Sequence, residues 1–191
     1  MKHSIVVFSL MAMSGLAFAD ENGFSYSYLQ ASYGTVDLDN TSIDGDGLGL
    51  NGSFGITDNL NIVGGYQTAD FDSLVEADEW SVGLGVHAPI TEKMDVTAAV
   101  SYIDVEIDAL GIPVAEDDGF GLTVGLRANI TSLIEVNAGV SYVDLSDSGD
   151  DTGFGGGVLF NLTNSFALGL DGSWDDDVSV YSVSARWYFG N

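Results

Sequence analysis

The chain has no cysteine, two prolines, and four Lys and Arg against 29 Asp and Glu. Without cysteine no disulfide holds the fold, so hydrogen bonding and packing must do so. The shortage of cations excludes nucleic acid as a partner, because phosphate binding requires clustered Lys and Arg. Beyond the first nineteen residues no apolar run approaches the roughly eighteen of a spanning helix. Helical periodicity is missing there too.

The first nineteen residues stand apart. Lys2 and His3 precede an apolar stretch from Ile5 to Phe18, and Ala17-Phe18-Ala19 places small residues before Asp20. This order predicts a secretory signal peptide over residues 1–19 and one domain over residues 20–191.

What is abundant is glycine, with 25 residues, and alternation. Trp80, Val82, Leu84, Val86, Ala88 and Ile90 alternate with Ser81, Gly83, Gly85, His87 and Pro89. Met94, Val96, Ala98, Val100 and Tyr102 do so with Asp95, Thr97, Ala99 and Ser101. Such a period of two marks strands with one apolar face. Four short polar turns interrupt the pattern, at Ile56-Thr57, Ile90-Thr91, Ile130-Thr131 and Leu162-Thr163. Their threonines lie 34, 40 and 32 residues apart, the spacing of repeated hairpins. Ten strands result, with eight as the alternative count. The first, near Phe24–Leu38, has Tyr26 and Tyr28 out of phase with Leu29, Ala31 and Tyr33, which predicts a bulge.

The connections opposite the threonine turns are longer and acidic, at about residues 39–46, 73–79, 108–118, 147–152 and 175–178. Short turns at one end and longer acidic loops at the other are the asymmetry of an outer-membrane barrel. The polar face supports lipid outside. It carries Gly, Ser, Thr, Ala and Asn, which suit a narrow lumen, rather than the Lys, Glu and Arg of a solvated sheet. Aromatic residues form two bands. Tyr33, Tyr66, Trp80, Tyr102, Phe120, Tyr142, Phe154, Trp174 and Tyr181 lie toward the long connections, and Phe54, Phe160, Phe166, Trp187 and Phe189 toward the tight turns. This is a double aromatic girdle. The expected fold is therefore all-β: a transmembrane, antiparallel, up-and-down β-barrel with short periplasmic turns and longer extracellular loops.

With its leader, repeated turns, girdles and terminal segment, the chain resembles the small outer-membrane β-barrel proteins of Gram-negative bacteria, the OmpA/OmpX-like and opacity-type surface antigens. The resemblance implies that Tyr181, Val183, Ala185, Trp187 and Phe189 form the signal read by the barrel-assembly machinery. Gly190 and Asn191 follow Phe189 here, whereas the group commonly ends on the aromatic residue. Ten strands also exceed the group's usual eight, and no peptidoglycan-binding domain is expected after Phe189.

No enzyme and no cofactor are expected. His87 is the one histidine after the leader, it lies near a turn, and no serine has a His/Asp partner at a motif spacing. Inward positions bring together a charge cluster of His87, Asp95, Arg127, Glu135, Asp171 and Arg186. Arg127 and Glu135 are diagonal neighbours across the Thr131 turn, and Asp171 and Arg186 share the last hairpin. The cluster reads as a plug, or else as the lining of a narrow water path whose glycines leave space open. Of the 29 carboxylates, 22 lie at the loop end, without Lys or Arg among them. They read as a solvated exterior, or as divalent-cation ligands at Asp144, Asp147, Asp150 and Asp151, whose spacing does not match a calcium loop. The expected role is a structural or surface-interaction barrel. The alternative is a narrow small-solute or cation-preferring channel. Its partners would be outer-membrane lipid, lipopolysaccharide and divalent cations.

Overall fold

A computed structural model describes residues 24–38, 44–71 and 75–189. The expected leader, the outer residues Asp39 and Asp72, and the final Gly190 and Asn191 lie outside the described residues. Ten strands run in order: β1 (Tyr28–Leu38), β2 (Asp44–Gly55), β3 (Leu60–Phe71), β4 (Val75–Thr91), β5 (Met94–Ala109), β6 (Ile112–Asn129), β7 (Ile134–Leu145), β8 (Gly149–Thr163), β9 (Phe166–Trp174) and β10 (Val178–Tyr188). Each pairs antiparallel with its chain neighbours, and β1 pairs with β10 to close the barrel.

The threonine turns form as their chemistry dictates. Thr57 Oγ1 accepts from the backbone N–H groups of Asn59 (3.3 Å) and Leu60 (3.1 Å). Thr131 does the same for Leu133 (3.2 Å) and Ile134 (3.1 Å), while Thr91 and Thr163 each accept one such bond, from Lys93 and Ser165. A hydroxyl that captures the donors two and three residues on reverses the chain without left-handed backbone, so no glycine is needed there.

Within the girdles the strands point apolar residues outward and small polar ones inward. Above the outer girdle this pattern inverts. On β5, Val96, Val100 and Tyr102 face outward, and then Asp104 and Glu106 take over that face; inside, Thr97 and Ser101 give way to Ile103 and Val105, both buried. On β7, Tyr142 is followed by outward Asp144, and Ser141 by inward Val143 and Leu145. The same switch gathers Val36, Ala69, Phe71, Ala77, Val178 and Val180 into an apolar cluster in the upper lumen. A strand leaving lipid for water must exchange its faces, because the outside becomes the wet side.

Two expectations change. The outer connections are shorter than expected: β2, β4 and β8 already begin at Asp44, Val75 and Gly149, and 108–118 is not a loop, since β5 and β6 run on until Leu110 and Gly111, whose φ of 56° and 72° make a two-residue hairpin turn. Nor is there a bulge in β1. Its register is unbroken from Tyr28↔Tyr188 to Leu38↔Val178, and Tyr26 and Tyr28 point into the lumen. The irregularities lie at Pro89/Thr91 and Asn161/Thr163, beside turns, and at Ile107/Asp108 near the outer tip.

Val124 and Leu84 stand on the lipid face at 41% and 50% exposure. Arginine at either position is expected to cost about 2–4 kcal/mol near the bilayer midplane and to reduce assembly, whereas the lumenal Ser101→Asn is tolerated. Heat-modifiable gel mobility checks this, and equal behaviour of the three variants contradicts the assigned faces.

Candidate lumenal site

The periplasmic half of the lumen is filled around Arg127 and Arg186, while a cavity of about 470 Å³ remains at the turn end, lined by Phe24, Ser132, Glu135, Asn161 and Tyr188. Residues 24–27 precede β1, lie outside any strand and enter the barrel, where Phe24 and Tyr26 are buried. The Ser53 hydroxyl donates to the Tyr26 carbonyl at 2.9 Å, and the Gly55 N–H donates to Ser27 Oγ. Two cations organise the rest. Arg127, fully buried, donates from Nε to Glu135 Oε1 at 2.7 Å and from Nη1 to the Ser25 carbonyl. Its guanidinium lies 4.5 Å from the Tyr26 ring centroid and 5.0 Å from that of Phe24. Arg186 donates to Gln30 Oε1 at 2.8 Å and lies 4.2 Å from the Tyr28 ring and 5.9 Å from Tyr188. Planar guanidinium stacks on aromatic faces while its fork reaches a partner, which an ammonium does not reproduce.

The expected cluster is partly united. Arg127 and Glu135 meet as diagonal neighbours, and Asp95, opposite Arg127 in register, accepts from the Tyr26 hydroxyl. His87 lies with Nδ1 3.7 Å from Asp95 Oδ2 and its ring 4.0 Å from that of Tyr26. Asp171 and Arg186 do not pair: Ser184 Oγ donates to Asp171 at 2.8 Å, while Arg186 turns to Gln30. The residues not anticipated are Phe24, Tyr26, Tyr28, Tyr188 and Gln30. Their signal was present in the out-of-phase aromatic residues of the first strand.

Gly34, Gly47 and Gly49 border a small cavity, but other lumenal glycines do not leave the space expected of them. Several sit directly opposite a polar side chain that lies over them: Gly65 faces Asn51, Gly85 faces Asn61, Gly157 faces Asp171 and Gly169 faces Ser184. A Cβ at any of these four glycines would collide with that side chain. The missing Cβ is what lets the opposing amide, carboxylate or hydroxyl lie flat against the wall.

At the outer end the carboxylates spread out. Among the described residues no three acidic or histidine side chains converge as a metal site, and Asp144 and Asp150 stand opposite each other on β7 and β8. Two of these outer carboxylates are buried, Glu79 and Asp117, and Asp117 is the more so. It accepts from the Ser148 hydroxyl (2.6 Å) and from the N–H groups of Ser148 (2.8 Å), Asp147 (3.1 Å) and Asp118 (2.9 Å), latching β6 to the β7–β8 turn. Burial opposes its charge, but these donors outweigh it and hold the carboxyl below the ordinary aspartate value.

The girdle residues stack in chains along the barrel wall. Trp80 meets Tyr102 at 5.4 Å and Tyr102 meets Phe120 at 5.9 Å; Phe154 stacks on Trp174 at 5.5 Å, and Trp174 meets Tyr181 edge-on at 5.8 Å. A closed barrel with lipid-facing aliphatic residues between aromatic belts defines an outer-membrane β-barrel. No family model matches the chain, and no curated protein does. Among solved structures it is similar to an outer membrane channel from Pseudomonas putida F1 (12% identity, TM-score 0.53, covering 85% of this chain and 95% of that one). It is also similar to the beta domain of a Bordetella autotransporter (12%, 0.50, 85% and 99%) and to Neisserial surface protein A (14%, 0.43, 85% and 96%). The likeness is one of fold, that of bacterial outer-membrane barrels.

Two outcomes follow. Glu135→Leu leaves Arg127 buried without its carboxylate and is expected to lower stability by about 3–5 kcal/mol; adding Arg127→Met restores most of this. Urea unfolding in lipid vesicles measures both, and a single variant as stable as the parent contradicts the pairing. The Asp117 latch has a depressed acid value when folded, so its contribution is complete above about pH 4 and is lost as pH falls further. The protection factor of the Ser148 amide, its exchange relative to the intrinsic rate at the same pH, is expected to fall only in that acidic range, and Asp117→Ala to lower it at neutral pH.

Proposed function

We propose that the chain is a closed outer-membrane barrel with a structural or surface-interaction role, whose acidic strand ends form the part presented to the exterior. The observation that carries this reading is the segment at residues 24–27 seated in the lumen beneath Arg127, where Phe24, Tyr26, Asp95 and Arg127 leave almost no accessible surface. Ions crossing the barrel would have to displace two stacked guanidinium–aromatic groups and the Arg127–Glu135 pair. The burial of His87, against Tyr26 and Asp95, supports a positioning role in that packing and no catalytic one.

The partners that suit this reading are outer-membrane lipid at the girdles, lipopolysaccharide with its divalent counter-ions at the acidic strand ends, and the barrel-assembly machinery at the last strand. Tyr181, Val183 and Trp187 present one outward edge there for such recognition. Reconstitution in a planar bilayer tests the closed state. No steady current is expected. Reproducible single-channel openings with cation preference would overturn the reading in favour of a channel, the role named for the similar barrel from Pseudomonas putida F1.

A further inference from the structure

A small site in the upper lumen belongs to neither the lower plug nor the acidic exterior, and it lies across the seam where β1 meets β10. Ser32 on β1 stands between Ser184 of β10 and Gly49 of β2. Ser182 on β10 stands between Gly34 of β1 and Asp171 of β9. The two serines are therefore diagonal neighbours across the seam, with backbones about 7–8 Å apart. Beside them the wall carries no side chain at Gly34, Gly47 and Gly49. A cavity of about 30 Å³ occupies this stretch, lined also by Val36 and Val180. One water needs about 10–15 Å³ of such space, so the volume suits two.

Both serines line the cavity, at 6% and 7% exposure, and neither hydroxyl has a partner among the described residues. The strand pairing explains why. Gly34 and Gly49 offer no side chain, and the neighbour on each serine's other flank is engaged elsewhere. Ser184 Oγ donates to Asp171 Oδ2 at 2.8 Å. That bond ties up both the hydroxyl beside Ser32 and the carboxylate beside Ser182. The Gln67 amide, also on the cavity, donates to Glu79 Oε1 at 2.9 Å. One further acceptor borders the space. The Thr68 carbonyl oxygen lies 3.1 Å from the place a Cβ of Gly47 would take, and a ladder carbonyl keeps a second lone pair. Buried hydroxyls are normally satisfied, and water is the usual partner where the protein supplies none.

We infer that two ordered waters occupy this cavity and bridge Ser32 of β1 to Ser182 of β10, clasping the closing seam from its lumenal side. Each hydrogen bond spans about 2.8 Å, so a chain of two waters joins hydroxyls up to about 8 Å apart. Water donates and accepts, as each serine does, so the pair satisfies both hydroxyls and the Thr68 carbonyl together. A cation would find only neutral oxygens, because the carboxylates of Asp171 and Glu79 are held by Ser184 and Gln67. The position gives the bridge its importance. β1 and β10 are the one adjacent strand pair that no turn connects, so a side-chain link acts there where chain continuity is missing. It complements the Arg186–Gln30 hydrogen bond lower on the same seam.

The test uses the full chain folded in deuterated detergent micelles, with water itself as the probe. Cross-relaxation between water and the Gly34 amide is expected in the parent, with the sign of a long-lived bound molecule. Its absence there overturns the site. Gly47→Ala puts a methyl group into the cavity, 3.9 Å from Val36 Cγ2, and is expected to keep heat-modifiable mobility and lose that signal. A signal that persists in this variant places the water elsewhere and overturns the site too. The bridge is read separately from amide exchange along the seam, at residues 32–34 and 181–183. Ser32→Ala and Ser182→Ala are each expected to lower protection about fivefold, and the double variant no more than either alone, since both lose the same bridge. Multiplied effects, about twenty-fivefold in the double variant, mean independent hydroxyls and overturn the clasp. Unchanged protection in both single variants overturns it as well. Conductance plays no part in these readouts, so their failure and that of the closed-barrel reading are separable.

Discussion

Everything in this molecule depends on the closure of β1 against β10. Inside a bilayer no water satisfies an exposed backbone N–H or C=O, so a sheet survives there only without edges. The eleven register pairs from Tyr28↔Tyr188 to Leu38↔Val178 remove the last edge. Closure then makes the interior narrow and finite. Whatever the inward faces carry must fit a space that the ladder has already fixed, and the outward faces have only lipid or water to meet.

The interior meets that constraint by layers. At the bottom, two arginines and four aromatic rings from residues 24–28 and Tyr188 use large flat groups to fill the width. In the middle, polar side chains lie over Gly65, Gly85, Gly157 and Gly169 on the neighbouring strands, so that volume is matched pair by pair there, and only Gly34, Gly47 and Gly49 border a small cavity. At the top the lumen turns apolar, because strands that have risen past the aromatic belt are surrounded by water and must hide their apolar face inside. The three layers answer to three different exteriors and neighbours along one set of continuous strands.

Most of the transmembrane architecture was legible in the sequence. Alternation between Met94 and Tyr102 fixes both faces of β5, and the four threonine turns supply their own reversal chemistry. The diagonal pairing of Arg127 with Glu135 follows from two parities and one turn. The rest escaped for a common reason: alternation identifies faces but not what lies across the lumen. Tyr26 and Tyr28 break the apolar-outside rule, which reads as a bulge until Arg127 and Arg186 are seen stacked on them. Residues 108–118 lose the lipid-facing pattern and so read as a loop, although the strands continue and only their surroundings change. The glycines look like vacant volume because a sequence does not print which side chain stands opposite.

The lumenal packing has a consequence in time as well as in space. Its tethers join residues far apart along the chain: Tyr26 to Asp95 across 69 positions, Ser25 to Arg127 across 102, and Gln30 to Arg186 across 156. Contacts of such separation form late, since much loop entropy must be lost before they add stability. The hairpins, each held by a local threonine turn, need none of them. Folding is therefore ordered: hairpins come first, and the β1–β10 seam and the lumenal tethers, which share the long separations and even the Gln30–Arg186 pair, come together after them.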